Sequence, residues 1–402
     1  MAERSEILTN VETGVWHDKY CLSSVDGPRL EGSANWSIAK RTLRGGVSDG
    51  VDVVSIDNGA FAVEVLPTRG MGLWRGKYRG TRLGWTSPAR HPVHPAFVNL
   101  VDQQGLGWLT GFNEWMCRCG LSSLGEPGLD VVAREEGSRH ETSVTLHGRI
   151  ANTPCHYVAL GVNDNGPGTL MVRGVAEEAW LYGPKLRLVS SLQTAAGSNS
   201  LTIVDEVTNL SEEPGELQLM YHTNLGRPLL DQGARLVIAA KEIAPYDEHS
   251  ACAIDRWAEF GGPTPGYAQQ CYFMEPIADD HGNATVLLHN RARNKGIGLR
   301  FNTKELPYFT LWKNLQCEAD GYVTGLEPGT CFPNLKSIER DRQRVVALPP
   351  GGTYQTCLKI DVYDSETQVS AAERSIRQLL KREPSLQRHI HPRYSPVDGK
   401  KT

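Results

Sequence analysis

The chain has 402 residues, a length that fits one large β-rich body as well as two or three domains. Its formal net charge is -4, and acidic and basic residues are mixed along the chain without the basic stripe that neutralises phosphates. Nucleic acid is therefore not an expected partner.

The amino-terminal segment and the cysteines indicate the compartment. The first thirty residues place charged side chains where a secretory signal needs an apolar run, and no eighteen consecutive apolar residues occur anywhere. The nine cysteines have no repeating spacing, which favours reduced thiols over a disulfide framework. These features predict a cytoplasmic protein without a membrane partner.

Short strands separated by turn residues dominate the chain. Residues 51–67 alternate around an Asn58-Gly59 pair, which predicts a hairpin. Residues 185–225 contain three alternating or β-branched runs separated by polar clusters, which predict three consecutive antiparallel strands. The pattern is typical of an all-β fold.

The clearest helical pattern begins at Ser365, where apolar residues recur near helical spacing from Val369 to Leu380. Beyond Pro384 the apolar content is too low to fold alone, which predicts a loosely ordered tail. No linker or repeat divides the middle of the chain. We expect an N-terminal extension (1–50), one sandwich domain (51–364) and a C-terminal helix with its tail (365–402), with two stacked sandwich domains as the alternative.

The first candidate site segment is LHGRIANTP, in which His147 and Arg149 are two residues apart. On a strand they would face the same side, and Gly148 would allow close backbone approach. An imidazole beside a guanidinium suits a polyhydroxylated or anionic ligand. A surface histidine and arginine near a turn are the alternative interpretation.

The second segment is LQLMYHTNLGRPLL, in which an apolar strand leads directly into Tyr221, His222, Thr223 and Asn224. Polar residues at strand ends are common functional positions. Histidine donates and accepts protons near neutral pH, so His222 is a candidate general acid. A hydrogen-bonded core histidine is the alternative.

The third segment contains Glu327, which follows the apolar run VTGL. Partial desolvation at such a position raises the pKa of a carboxyl group and makes it a better base. A solvated turn glutamate is the alternative. Trp312 and Lys313 could supply a stacking face and a cation, although Trp312 fits a core position equally well, and the aromatic segment from Gly107 is a candidate lining for the same site.

Two pairs of residues have the short spacing of metal ligands: His91 with His94, and Cys117 with Cys119. A structural zinc site normally needs two such pairs in compatible geometry, and prolines follow both histidines. We therefore expect no metal.

Taken together, these segments resemble the galactose mutarotase-like superfamily, which contains aldose 1-epimerases and hexose-phosphate epimerases. HGR resembles its His-Gly segment, VTNLSEEPGELQLMYHTNLG its strand, turn, strand and histidine stretch, and GLEPGTCFPN its glutamate strand. LPTRGMGLWRGKYRG and HTNLGRPLLDQGA look most like an uncharacterised bacterial branch of aldose 1-epimerase-like proteins. The resemblance covers roughly Val53 to Asp364 and implies a large antiparallel β-sandwich with a short C-terminal helix.

The resemblance also implies roles for individual residues. His222 matches the catalytic acid, Glu327 the catalytic base, and His147 a histidine that binds the ring oxygen or a hydroxyl group. Arg149 matches a binding residue of the phosphosugar members, with Arg69 as a second one.

The sugar-binding aspartate of the family has two candidates, Asp247 first and Asp205 second. The aromatic residues that follow the family histidine are replaced by Thr223, Asn224 and Leu225, so the pocket wall differs. We include Asn224, Lys313 and Trp312 among the expected substrate-binding residues.

The implied reaction interconverts sugar anomers by ring opening and closure, and it needs neither metal nor redox cofactor because only protons move. One alternative is an isomerase, epimerase or lyase on a keto or acidic sugar, with Arg149 or Lys313 receiving a carboxylate. Another is a carbohydrate-binding module without catalysis. The expected partner is a monosaccharide, and sandwich edges could pair two copies into a homodimer.

Overall fold

The computed structural model describes residues 3–33, 35–133 and 139–396. The first thirteen strands are β1 Glu3–Asn10, β2 Val15–Trp16, β3 Lys19–Ser23, β4 Ser37–Thr42, β5 Asp52–Asp57, β6 Phe61–Leu66, β7 Gly72–Tyr78, β8 Thr81–Leu83, β9 Met116–Leu121, β10 Gly128–Ala133, β11 Arg139–Val144, β12 Tyr157–Asn163 and β13 Thr169–Ala179. The others are β14 Lys185–Ala195, β15 Ser200–Asn209, β16 Gly215–Leu225, β17 Arg235–Ile238, β18 Glu242–Pro245, β19 Gln270–Met274, β20 Asn283–His289, β21 Gly296–Asn302, β22 Tyr308–Leu315, β23 Tyr322–Gly329, β24 Val346–Leu348, β25 Thr353–Tyr363 and β26 Ser385–Leu386. The helices are α1 Asp102–Gly105, α2 Glu248–Cys252, α3 Lys336–Asp341 and α4 Glu366–Gln378.

Two large sheets form the fold. The first sheet has the order β17-β20-β21-β25-β15-β14-β13-β12-β1-β2. The second has the order β26-β18-β19-β22-β23-β16-β9-β7-β6-β5-β4-β3, with β24 beside β16 and β8 beside β7. Neighbouring strands are antiparallel except for β18 and β26. The predicted all-β antiparallel sandwich is confirmed.

Alternation along the strands places the main core between the sheets. In β14, Leu186, Leu188 and Leu192 are buried in the apolar cluster between the sheets, while Arg187, Val189 and Ser191 on the other face are half-buried. Side chains of a strand alternate between its two faces, so a period of two gives each sheet one core face. The interior is one continuous apolar cluster across both sheets.

The predicted hairpin at residues 51–67 is confirmed, because β5 and β6 pair around Asn58. The three predicted strands after Lys185 also form, but their predicted pairing is only half right. β14 pairs with β15, whereas β16 pairs with β9 and β23 in the opposite sheet. The turn at residues 210–214 crosses from one sheet to the other, and local alternation cannot distinguish that crossing from a hairpin.

A buried ion pair joins the two sheets. Arg118 on β9 and Asp205 on β15 are both fully buried, and their side chains are joined by two hydrogen bonds, at 2.5 and 3.0 Å. Asp205 also accepts a hydrogen bond from the Tyr221 hydroxyl at 2.8 Å. Asp205 is therefore part of the core between the sheets and is not the sugar-binding aspartate that the sequence offered as a second choice.

The predicted C-terminal helix is α4, which packs on the outer face of the first sheet. Ser365 caps its start by accepting a hydrogen bond from the Gln368 amide at 3.3 Å. Val369 and Ile376 are buried against Val237 and neighbouring residues of β17 and β20. Within the described part of the chain, no helix is long and apolar enough to cross a membrane.

Both ends of the described chain contact the sandwich. β1 pairs with β12 in the first sheet and β4 pairs with β5 in the second, so residues 3–42 contribute strands to both sheets. Residues 385–396, for which composition predicted loose order, make defined contacts: β26 pairs with β18, and the buried Tyr394 accepts a hydrogen bond from Asn334 at 2.8 Å through its carbonyl. Residues 397–402 lie outside the described residues.

Candidate active site

Alternation along β16 separates core residues from site residues. Leu217, Leu219 and Tyr221 point into the sandwich core. Met220, His222 and Asn224 therefore point to the outer face of the second sheet. A second, smaller apolar cluster covers this face and includes Met220, Trp108 and Phe112. The site thus lies on the outside of the sandwich, beneath a separate aromatic layer.

His222 and Glu327 meet on this outer face because their strands, β16 and β23, are neighbours. His222 Nε2 lies 3.1 Å from Glu327 Oε1, and their side chains are only 5% and 3% exposed. Gly325, two residues before Glu327 on the same face, leaves the necessary space. A Cβ atom at position 325 would lie 2.3 Å from Glu327 Oε1 and 2.9 Å from His222 Cε1.

Burial shifts both groups toward their neutral forms. Desolvation raises the pKa of Glu327 well above its ordinary 4.5. Desolvation, and secondarily the neighbouring His147, lower the pKa of His222 well below 6.5, while the Asn224 side chain opposes this shift. Burial thus favours the neutral carboxylic acid of Glu327 and the neutral imidazole of His222.

His147 lies beside the pair, but in a turn rather than on a strand. Its φ of 58° is left-handed, and Gly148 follows with a φ of 71°. His147 Nδ1 lies 3.0 Å from the Leu124 carbonyl, which can only accept, so Nδ1 donates and Nε2 is left as an acceptor. Burial lowers the pKa of His147 to about 4. The imidazole is thus neutral, and its ring centre lies 5.3 Å from that of His222.

Three aromatic side chains surround His222. The ring centres of Phe112, Trp312 and Trp108 lie 5.3, 5.5 and 6.2 Å from the His222 ring. Phe112 and Trp108 belong to the aromatic segment that begins at Gly107, which the sequence indicated as a candidate lining. Apolar rings at such positions exclude water from the contact between His222 and Glu327 and offer a flat apolar surface to a ligand.

Arg149 does not lie with His147. The two left-handed residues before it turn the chain, so the predicted arrangement on one strand face is wrong. Arg149 is exposed, and its guanidinium lies 5.0 Å from the ring centre of Trp180, at the tip between β13 and β14. The substrate-binding role expected of Arg149 stays a prediction.

Arg69 is fully buried behind the site. Its Nε lies 2.5 Å from Glu114 Oε1, and its other nitrogens donate to Asn152 Oδ1 and to the carbonyls of Val93 and Gly111. Four acceptors therefore occupy this guanidinium. The side chain stabilises the loops around the site, and the substrate contact expected from the sequence stays a prediction.

Lys313 points to the face opposite to Trp312, because the two are consecutive on β22. Its ammonium donates to the carbonyls of Arg256, Trp257 and Glu259 at 3.3, 3.2 and 2.8 Å. Desolvation is the largest cause that lowers its pKa, to about 8. The substrate contact expected of Lys313 stays a prediction, while the Trp312 ring lies beside His222.

Asn224 and Asp247 have different positions relative to the pair. Asn224 is fully buried and donates to the carbonyls of Glu114 and His222, so it fixes the strand around His222. Asp247 caps α2 by accepting from the Ser250 amide at 2.7 Å. It remains half-buried and lies near Cys271, two strands away from Glu327.

The sequence did not indicate Glu126 and Tyr246, which form the far side of this surface. The Tyr246 hydroxyl hydrogen-bonds to Glu126, and burial raises the pKa of that carboxyl group. Glu126, Asp247 and Glu327 are all close enough to the Cys271 thiol to raise its pKa, after desolvation as the main cause. The residues come from distant segments, so no local pattern could have joined them.

The two residue pairs with metal-ligand spacing, His91 with His94 and Cys117 with Cys119, do not form a metal-binding group with other described residues. Cys117 and Cys119 lie under the aromatic layer as buried thiols, and desolvation raises the pKa of both. His94 Nδ1 accepts a hydrogen bond from the Ala96 amide at 3.2 Å. Across residues 3–33, 35–133 and 139–396, no three His, Cys, Asp or Glu side chains form a group that could hold a metal ion. All nine cysteines are free thiols.

The fold and this outer-face site define a galactose mutarotase-like β-sandwich protein. The family model described as "Domain of unknown function (DUF4432)" matches residues 48–362, and the chain belongs to this family. A Klebsiella pneumoniae crystal structure named as a "putative aldose 1-epimerase" superimposes with a TM-score of 0.89 at 32% identity, covering 97% of this chain and 99% of that chain.

More distant structures share the fold. A galactose mutarotase-like protein from Clostridium acetobutylicum has a TM-score of 0.54 at 14% identity, over 86% of this chain and 99% of its own. A galactose 1-epimerase from Lactobacillus acidophilus has a TM-score of 0.50 at 13% identity, over 81% of this chain and 98% of its own. A search of curated proteins gave no match.

Proposed function

We propose that this protein is an aldose 1-epimerase that interconverts the α and β anomers of an uncharged sugar, with Glu327 and His222 as its acid-base pair. The observation that supports this most is the buried contact of the two side chains, 3.1 Å apart on neighbouring strands. The name of the 32% identical Klebsiella protein supports the same reaction class.

Anomer exchange requires one proton to leave the anomeric hydroxyl and one to reach the ring oxygen. Glu327 as carboxylate removes the first, and His222 as imidazolium supplies the second, so the ring opens to the free carbonyl form. Rotation about the first carbon-carbon bond and the reverse proton transfers close the ring with the opposite configuration. Ring opening thus uses the charged forms of the two groups, and ring closure uses the neutral forms that burial favours. Transfer of one proton from Glu327 to His222, whose nearest side-chain atoms are 3.1 Å apart, connects the two states.

The surroundings of the pair favour an uncharged sugar. Arg69, Arg149 and Lys313, the three cations expected to receive a phosphate or carboxylate, are occupied by protein groups or directed elsewhere. His147 offers a neutral acceptor, and Trp312 and Phe112 offer apolar rings. The alternative function, a carbon-centred isomerase of acidic sugars, needs a free cation to bind the substrate carboxylate. Arg149 and Lys313, the cations expected for that role, are directed elsewhere or occupied.

The test is exchange NMR on a panel of aldoses, ketoses, uronic acids and sugar phosphates, at a pH where spontaneous mutarotation is slow. We expect faster exchange between the α and β signals of an uncharged sugar. Glu327→Gln and His222→Ala should each lower the rate by about 10²- to 10⁴-fold, the usual contribution of general acid-base catalysis. Circular dichroism checks that both variants remain folded.

Each other outcome points to a different function. Normal exchange in a folded Glu327→Gln protein would remove the base assignment. Solvent deuterium at a carbon other than the anomeric one would indicate a carbon-centred isomerase, because mutarotation exchanges only hydroxyl protons. Sugar binding without faster exchange would indicate a binding module.

A further inference from the structure

A second cavity lies on the opposite side of the molecule, between α4 and the edge strand β17 of the first sheet. Its volume is about 360 Å³, within the range of roughly 300–1,000 Å³ that small-molecule pockets occupy. The His222–Glu327 pair lies on the outer face of the other sheet, and neither of its residues lines this cavity.

One wall of this cavity is apolar. It is formed by Trp257, residues 236–238 of β17, Leu380 after α4, and Leu386. Such a wall suits an apolar ligand body of a few carbon atoms or one ring.

The facing wall carries two arginines that share one carboxylate. Arg293 and Arg377 both bind Glu373, at 2.6 and 2.9 Å, so one carboxylate serves two guanidinium groups. Arg377 uses only Nε for this contact. Arg235 also lines the cavity but is paired with Glu259 at 2.9 Å, and Glu383 is the second lining glutamate. Spare guanidinium N–H groups beside an apolar wall suit a carboxylate with an apolar body.

A buried histidine in the cavity wall offers a hydrogen-bond acceptor to a ligand. His289 lines the cavity and is 3% exposed. Its Nδ1 lies 2.9 Å from the Asn290 carbonyl, so Nδ1 donates and Nε2 is an acceptor. Among the hydrogen bonds and ion pairs of the described residues, His289 Nε2 has no partner. A ligand hydroxyl group would supply the missing donor.

We propose that this cavity is a second binding site, for a small hydroxycarboxylic acid with an apolar body. The carboxylate binds the spare nitrogens of Arg377 and Arg293, the hydroxyl group donates to His289 Nε2, and the apolar body packs on Trp257 and Leu380. The site does not depend on the proposed anomer exchange, since it uses none of the same residues.

The test is isothermal titration calorimetry of the whole protein with mandelate as the probe. Phenylacetate lacks the hydroxyl group of mandelate, and 1-phenylethanol lacks its carboxylate. Comparing the three compounds therefore separates the contribution of the hydroxyl group to affinity from that of the carboxylate. We expect mandelate to bind at least about tenfold more tightly than either, a difference of about 1.4 kcal/mol.

Variants assign the binding to this cavity. Arg377→Gln should weaken mandelate binding by about tenfold or more, whereas Arg374→Gln, on the same helix but outside the cavity lining, should not. His289→Leu should abolish the preference for mandelate over phenylacetate. Glu383→Gln should tighten the binding of both acids by removing a rim carboxylate.

Two results would overturn the proposal. One is the absence of mandelate binding, or equal affinities for mandelate and 1-phenylethanol. The other is binding that Arg377→Gln and His289→Leu leave unchanged in proteins with wild-type circular dichroism, which would place the ligand elsewhere on the molecule.

Discussion

Gly325 and Glu327 lie on the same side of β23, two residues apart, and the absence of a side chain at position 325 determines where the Glu327 carboxyl group rests. The contact that would be made by a Cβ atom there involves side-chain ends and not backbone. The acid-base geometry is therefore more sensitive to this position than the fold is.

We predict that Gly325→Ala lowers the anomer-exchange rate by about 10²-fold, because a displacement of about 1 Å at a reacting group can cost that much. The melting temperature should change little, since the Glu327 side chain can move away. Gly261→Ala is the matched control, because its nearest neighbour would be Leu315 Cδ1 at 3.8 Å, an ordinary contact. Equal rates for Gly325→Ala and wild type would contradict the geometry.

Glu327 also links the site to stability through pH. In the unfolded chain Glu327 loses its proton near its ordinary pKa of 4.5, whereas the folded protein retains it to higher pH. The folded state therefore binds more protons in this window, and its stability falls as pH rises through the raised pKa. His222 has the opposite effect. Because its pKa is lowered in the folded protein, the unfolded chain binds more protons below pH 6.5, and stability falls as the pH drops below that value.

We predict that Glu327→Gln becomes more stable relative to wild type as pH rises from about 5 to 8, by up to about 1.4 kcal/mol per pH unit. Glutamine has no proton to lose, so the difference isolates Glu327. Urea unfolding at several pH values measures it, with the exposed Glu212→Gln as control. A difference independent of pH would show that Glu327 is ionised in the folded protein.

At the scale of elements, β22 assigns opposite roles to consecutive residues. Trp312 faces the site and contacts His222, while Lys313 faces the core side and binds three carbonyl groups. Because consecutive residues of a strand point to opposite faces, Trp312 lies beside the candidate site while Lys313 binds backbone on the other face.

We predict that Trp312→Ala raises KM for the sugar with little loss of stability, because the residue is half-exposed at the site. Lys313→Met should instead lower the free energy of unfolding by about 1–3 kcal/mol, the cost of leaving buried carbonyls unpaired, with KM near wild type. Steady-state kinetics and urea unfolding on both variants measure the contrast. A large increase of KM in Lys313→Met would instead indicate that Lys313 contributes to substrate binding.

At the scale of the whole molecule, the sheet that carries His222 and Glu327 is joined to the other sheet by the Arg118–Asp205 ion pair. Tyr221, the neighbour of His222 on β16, hydrogen-bonds to this pair from the core side. The same strand thus contributes one residue to the site and the next to the connection between the sheets.

We predict that Asp205→Asn lowers the free energy of unfolding by about 3–5 kcal/mol, because Arg118 would be left as an uncompensated buried charge. Urea unfolding measures the loss. Asp18→Asn is the control, since the Arg44–Asp18 pair is exposed and should contribute nothing measurable. A similar midpoint for both variants would mean that Asp205 is not required to compensate Arg118.

The sequence alone determined the all-β class, the Asn58 hairpin and the C-terminal helix, and it indicated His222 and Glu327 as candidates, because alternation, turn residues and motif content are local properties. Only the tertiary structure decided the crossing of β16 to the second sheet, and with it which residues reach the site. Arg69, Arg149 and Lys313 were attractive by residue type, yet their partners come from distant segments. Burial and partner choice depend on long-range packing, and a single sequence contains no direct record of that packing.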